Sequence, residues 1–325
     1  MSDVVQANKM TPEFEGMYYN PKWQWFCAHM NLVDETGKEW SVYFWPAQSQ
    51  IDDAWILSFH TSEGEMLNFT EVHLPVGTIK AGRTGAEVSY GNQFFRGSFP
   101  RYHAGIGGYA NGKSYFLDVV IEAETDAFEA VPNLRGIDWN YIPRMKAAGT
   151  LRVDDKLLAV KGYSYLERRR GRFWTPGVAR GIWESAPLAS KDGLSIPIFY
   201  KVFKNDGSAQ LQTLTFTADG KTPIEYANID VEILETTKFP GFEHVDHPTR
   251  YTISATGDRG KAELEIVRAP NRLMMNNYLG EPSVKANATG IYGTGRMKGR
   301  LDVDGRVYDI DGDSYGSALF FSEKP

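Results

Sequence analysis

The sequence predicts an all-β chain in which one antiparallel, barrel-like unit is duplicated in tandem. Three observations carry this prediction: alternating runs of strand length, two-residue turn signals between them, and an internal repeat at a fixed offset of 150 residues. Residues 1–175 make up the expected first unit and residues 176–325 the second.

Alternation is clear in Trp40–Trp45, Ala54–Phe59 and Ser114–Glu124, and returns in Pro197–Val202, Ala209–Phe216, Arg250–Ala255 and Ala262–Val267. Successive side chains of a strand point to opposite faces, so a half-buried strand alternates. Asn111-Gly112 lies between two such runs, and both residues tolerate the positive φ of a type I′ hairpin turn. Asp192-Gly193, Asp206-Gly207, Asp219-Gly220 and Asp304-Gly305 punctuate the later runs in the same way. Helical periodicity is nearly absent, and 32 glycines suit a sandwich or barrel.

The repeat is specific. Residues 149–165 read GTLRVDDKLLAVKGYSY and residues 299–315 read GRLDVDGRVYDIDGDSY. Gly149/Gly299, Leu151/Leu301, Val153/Val303, Asp154/Asp304, Gly162/Gly312, Ser164/Ser314 and Tyr165/Tyr315 match. Each copy reads as a hairpin: a strand, a tight turn at Asp154-Asp155 or Asp304-Gly305, and a return strand ending in Gly-x-Ser-Tyr. Upstream, Arg144-Met145-Lys146 is echoed by Arg296-Met297-Lys298 with a two-residue slip. A matching hairpin at the end of each half points to duplication of a whole domain, and the period is too long for a solenoid or propeller.

Composition narrows the function classes. With 42% hydrophobic and 23% charged residues the chain is ordinary globular material. A net charge of −6 without a dense Lys/Arg block argues against a nucleic-acid partner. Arg168-Arg169-Arg170 with Arg172 suits an anion but makes no phosphate-tracking stripe. Cys27 is the single cysteine, so no internal disulfide framework is expected. The opening residues MSDVVQANKM lack the apolar run of a secretory signal, and no stretch reaches the roughly 20 apolar residues of a membrane span. The expectation is a cytoplasmic, soluble chain, in which the sequons at Asn68 and Asn287 are chance matches. All eight tryptophans lie between Trp23 and Trp183. A buried indole needs a partner for its N–H, so such a cluster suits either a ligand cavity or the core of a small barrel.

Trp139-Asn140-Tyr141-Ile142-Pro143-Arg144, then Gly149-Thr150-Leu151 and Gly162-Tyr163-Ser164-Tyr165-Leu166-Glu167-Arg168-Arg169-Arg170-Gly171, resemble the AttH-like or carotenoid 1,2-hydratase-like group. There the first domain ends in a tyrosine-and-proline strand, a G-x-L-x-V strand and a G-x-x-Y-x-[DE]-H-x-W-G signature. Gly181-Ile182-Trp183-Glu184, with Leu188 and Asp192-Gly193, resembles the next signature, a tryptophan strand leading into an L-x-D-G turn. The resemblance is sharp over about residues 138–205 and 288–318 and covers the rest in outline. It implies two lipocalin-like (calycin) barrel domains with a hydrophobic pocket in or between them. It also implies enzymes that hydrate, isomerise or cyclise apolar polyenes and polyketides, the decalin-forming pericyclases among them. Arg168 stands where the group has His and Arg170 where it has Trp, while Glu167 keeps the acidic position, so no histidine role carries over.

Tyr165, Glu167, Arg168 and Arg170 form the candidate catalytic constellation. Strand parity puts Tyr165, Glu167 and Arg169 on one face, and Leu166, Arg168 and Arg170 on the other. A glutamate facing an apolar cavity resists ionisation and suits a proton donor. An arginine is a permanent cation able to stabilise a developing oxyanion. An exposed Glu/Arg ion-pair cluster of little energetic weight is the competing reading. Trp139, Tyr141, Trp174, Trp183 and Glu184 are the candidate substrate-binding residues, with plain core packing as the alternative for Trp139 and Tyr141.

Other motifs lead nowhere. Gly312-Asp313-Ser314-Tyr315-Gly316 has nucleophile-elbow spacing but no downstream histidine and no strand-to-helix context. Asp309-Ile310-Asp311-Gly312-Asp313 lacks the glycine placement and final glutamate of a calcium loop and reads as a solvated strand face. Asp118, Glu122 and Glu124 read likewise as a solvent face. His244 and His247 lack a third ligand nearby, and the glycines around Gly105-Ile106-Gly107-Gly108 miss the dinucleotide spacing. No nicotinamide, flavin, nucleotide or metal site is expected. The expected function is that of a cofactor-independent lyase or isomerase on an apolar terpenoid, polyene or polyketide. A non-catalytic carrier of a small apolar molecule is the alternative, and an interaction module with a vestigial pocket a weaker one.

Overall fold

The computed structural model describes residues 10–17, 23–50, 52–61, 66–129, 137–171, 178–185, 198–204, 209–238, 246–278 and 286–323. A single turn of helix, α1 (Pro12–Glu15), is capped by Thr11, whose hydroxyl accepts the Phe14 N–H at 3.3 Å. The other regular elements are strands. The first sheet holds β1 (Trp23–Asp34), β2 (Glu39–Ser49), β3 (Asp53–Thr61), β4 (Met66–Leu74), β5 (Lys80–Ala81), β6 (Ala86–Tyr90), β7 (Gln93–Ser98), β8 (Arg101–Ala110), β9 (Lys113–Ala123), β10 (Phe128–Glu129), β11 (Ile137–Val153) and β12 (Lys156–Gly171). The second holds β13 (Val178–Ser185), β14 (Ile198–Lys204), β15 (Ala209–Thr217), β16 (Pro223–Tyr226), β17 (Asn228–Thr237), β18 (His247–Gly257), β19 (Gly260–Tyr278), β20 (Ala286–Val303) and β21 (Arg306–Glu323).

Strand order extends the duplication beyond the repeated hairpin. The first sheet runs β4-β3-β2-β1-β12-β11-β9-β8-β7-β6-β5, with β10 beside β11, and the second runs β16-β15-β14-β13-β21-β20-β19-β18-β17. In each, an opening four-strand meander joins a closing meander where the first strand pairs antiparallel with the last. Two compact units follow: residues 1–59, 67–173 and 218–223 in one, and residues 60–66, 174–217 and 224–325 in the other.

Of the predicted turns, Asp192-Gly193 and Asp206-Gly207 lie outside the described residues, and the hairpin turns that are described take the left-handed backbone their residues allow. Asn111 has φ 51° and Gly112 φ 76°, while Asp154 and Asp304 have φ 51° and 52° in the two repeated hairpins. The hairpins coincide at the 150-residue offset, with Gly149 opposite Val160 and Gly299 opposite Ile310. A Cβ on Gly149 would lie 2.0 Å from the Asp118 carbonyl oxygen, and one on Gly299 would lie 2.0 Å from that of Glu263, so the neighbouring strand demands glycine in both copies.

The slipped Arg-Met-Lys echo is not a structural equivalence. Strand β11 carries a bulge that sets Pro143 and Arg144 against Tyr165, whereas β20 and β21 pair without interruption. Arg144 binds Glu124 on its own sheet, and Arg296 binds Asp311 across its hairpin.

The core of the first unit is built from one face of its sheet: Phe26, Ala28, Met30 and Leu32 of β1, Val42 and Phe44 of β2, Trp55, Leu57 and Phe59 of β3, and Leu166 of β12. Strand β3 is nevertheless buried at every position, so both faces of the sheet are shielded there. The opposite face, with buried Trp25, Cys27, His29 and Tyr165, carries the polar groups described next.

Candidate functional site

Glu167 lies near the middle of three adjacent strands, opposite Cys27 of β1 and Tyr141 of β11. It is 6% exposed. Its carboxylate accepts three hydrogen bonds: Trp25 Nε1 donates to Oε1 at 3.0 Å, Trp139 Nε1 to Oε2 at 3.0 Å, and Tyr165 Oη to Oε2 at 2.8 Å. Burial pushes its carboxyl above the usual range, opposed by these donors and by the Arg169 charge. Burial and the Glu167 charge likewise push up the Tyr165 phenol and the Cys27 thiol. Cys27 therefore stays a neutral thiol at ordinary pH.

The aromatic surround is continuous. Tyr141 stacks on Tyr165 with ring centres 6.3 Å apart, Phe128 meets Tyr141 at 5.9 Å, and Trp45 meets Trp25 edge-on at 5.6 Å. Arg169 faces Trp25 and Trp139 in the register, with its guanidinium 5.0 Å and 4.6 Å from their ring centres.

Glu167, Tyr165, Trp139 and Tyr141 thus come together on one face. Arg168 and Arg170 point to the other. The Arg168 guanidinium, fully buried, donates to the carbonyl oxygens of Glu15 (3.3 Å), Gly16 (2.9 Å), Trp25 (3.2 Å) and Arg169 (2.7 Å) and to Gln24 Oε1 (2.9 Å). Those contacts engage every N–H direction the group has and tie α1 to β1 and β12. Arg170 pairs with Asp138 at 2.7 Å and packs over Phe14 at 4.7 Å. Trp174 lies outside the described residues; Trp183 and Glu184 lie on β13, with side chains outside the described set.

Sequence reasoning missed Trp25, Cys27 and Arg169 as site residues. Parity had already placed Arg169 on the Glu167 face, a usable signal. Trp25 and Cys27 arrive only through the pairing of β1 with β12. His29, buried opposite Tyr165 and 3.0 Å from Ser41 Oγ, is the described histidine on these strands of the site face.

The remaining motifs are surface or interior features. Asp309, Asp311 and Asp313 make ion pairs with Arg300 and Arg296, as a solvated strand face should. Asp118 binds His103 at 2.7 Å. His244 lies outside the described residues, and His247 is buried. Among the described residues no cluster of His, Cys, Asp and Glu is placed to hold a metal ion, and no helix is long and apolar enough to cross a membrane.

Solved structures share this architecture. A putative AttH from Nitrosomonas europaea is 15% identical over 98% of this chain and 99% of its own, with a TM-score of 0.71. The chain has the AttH-like, two-barrel lipocalin-like fold. Kievitone hydratase from Nectria haematococca is 11% identical, covers 97% of this chain and 94% of its own, and has a TM-score of 0.67. CghA with Sch210972 is 12% identical over 97% of each chain, with a TM-score of 0.58. No protein-family model and no curated protein sequence matches the chain.

Proposed function

We propose that the chain is a cofactor-independent lyase or isomerase for an apolar terpenoid, polyene or polyketide, built as two barrel domains divided near residue 175. The observation that carries this reading is a buried carboxylate, Glu167, held by two indole N–H groups and a phenol beside a ring of aromatic side chains. At Glu167 burial outweighs the three donors and raises the carboxyl, so its charged form costs the fold stability there. Placed beside a bound apolar molecule, Glu167 would move a proton, Tyr165 would steady it, and Trp139 and Tyr141 would shape the substrate. Much of the rate would come from positioning. Trp174, Trp183 and Glu184, of the second unit, are likewise proposed as substrate-binding residues.

The test is a panel of polyene, terpenoid and polyketide compounds, followed by mass and by isomer pattern. Conversion by the wild type that Glu167→Gln abolishes, with binding retained, is the expected result. Tyr165→Phe should lower the rate constant more than the affinity. Tight binding with no change in mass or isomer pattern for any compound would overturn the enzyme reading in favour of a carrier.

A further inference from the structure

The groups facing Glu167 are mostly donors. An indole N–H has no lone pair to offer in return, so a proton on Oε1 would meet the Trp25 donor instead of an acceptor. The same two indoles that hold the carboxylate by their edges hold the Arg169 guanidinium by their faces. The other titratable neighbours are Cys27 opposite on β1, hydrogen-bonded to Tyr43 of β2, together with Tyr141 opposite on β11, Tyr165 on β12 itself, and His29 opposite Tyr165. Cys27, Tyr43, Tyr141 and Tyr165 are neutral when protonated. Arg144 also lies on this face, over the Tyr163 ring at 4.0 Å, but pairs with Glu124 at 2.9 Å. Arg169 is the permanent cation whose charge bears on Glu167.

We propose that Arg169, clamped between Trp25 and Trp139, is a positioning residue that holds Glu167 as a carboxylate, so that the site opens its chemistry by taking a proton. This rests on the reading of Glu167 as the proton-moving group, and it narrows the substrate class to carbon acids activated by a conjugated carbonyl. Such a substrate gives its acidic proton to Glu167, the C–H electron pair moves into the conjugated system toward the carbonyl oxygen, and the same proton returns at another carbon. Atoms and charge balance without a co-reactant.

The decisive measurement needs no substrate. The carboxylic-acid C=O stretching band of Glu167 is read as the infrared difference between the wild type and Glu167→Gln across a pH series. The band should be absent at neutral pH in the wild type. In Arg169→Gln its midpoint should move up by about one to three pH units, the effect of removing a close opposite charge. Arg169→Lys should stay near the wild type. Should Arg169→Gln not fold, Trp139→Leu removes one donor and one aromatic wall of the clamp, and it should also raise the midpoint. A protonated Glu167 at neutral pH in the wild type, or an unmoved midpoint in the folded variants that lack the charge or the clamp, overturns the proposal. Failure to find turnover would count against the proposed function alone.

Discussion

Glu167 and Arg168 are neighbours in the chain and stand back to back across β12. Glu167 meets two indole N–H groups on one face, while Arg168 is enclosed by backbone carbonyls on the other. The first charge is the one proposed to do chemistry, and the second holds α1, β1 and β12 together.

Arg168→Met should therefore destabilise the chain by about 3–5 kcal/mol, because several buried carbonyls lose their donor together. Arg168→Lys should recover part of that loss. Urea unfolding reads both, and a loss below about 1 kcal/mol for the methionine variant would refute the holding role.

Glu15 makes a second buried carboxyl, bonded to the Phe99 N–H at 3.1 Å and to the Tyr102 hydroxyl. Burial raises it from 4.5 to about 7, against the lowering effect of those bonds and of Arg168. A raised carboxyl favours the folded state below the unfolded value, and the advantage is lost as pH climbs through the folded one. Stability should accordingly fall by up to about 3 kcal/mol between pH 4.5 and 7, and Glu15→Gln should flatten that slope. Unfolding midpoints across that range decide it.

His73 lies between Asp52, 2.6 Å from Nδ1, and Glu71, 2.7 Å from Nε2. Hydrogen bonds to Asp52 and then Glu71 raise it from 6.5 to about 9. Its contribution is complete below pH 6.5 and lost as pH rises through 9. With a side chain 31% exposed, solvent screening reduces the effect to about 1–2 kcal/mol. His73→Gln should remove the alkaline slope in thermal melts and leave the acid slope of Glu15 in place.

Gly149→Ala and Gly299→Ala should each cost about 1–3 kcal/mol, because the added methyl meets a neighbouring strand's carbonyl and the strands must part. Equal losses at the two positions would show that the hairpins carry the same strain in both halves. Calorimetry of the two single variants measures it.

Much of this was legible in the residues. Asp154 and Asp304 take the left-handed turn, the 150-residue offset holds through both hairpins, and parity along Tyr165–Arg170 correctly separates Glu167 from Arg168 and Arg170. These are local properties: turn chemistry and the two-residue period of a strand act within a few residues. The Arg-Met-Lys echo misled because the 150-residue register runs unbroken from Met145 onward, where Met145 corresponds to Gly295 and not to Met297.

The residues alone point to an all-β, duplicated chain in which Glu167 is followed by three arginines on one strand, with Arg169 on its face. Which indoles hold that carboxylate is settled by tertiary structure, because Trp25 and Trp139 come from other strands. Trp25 reaches Glu167 across 142 residues of chain, through a register set when the first and last strands of the unit pair. No local pattern encodes that register; the burial of a whole sheet face selects it.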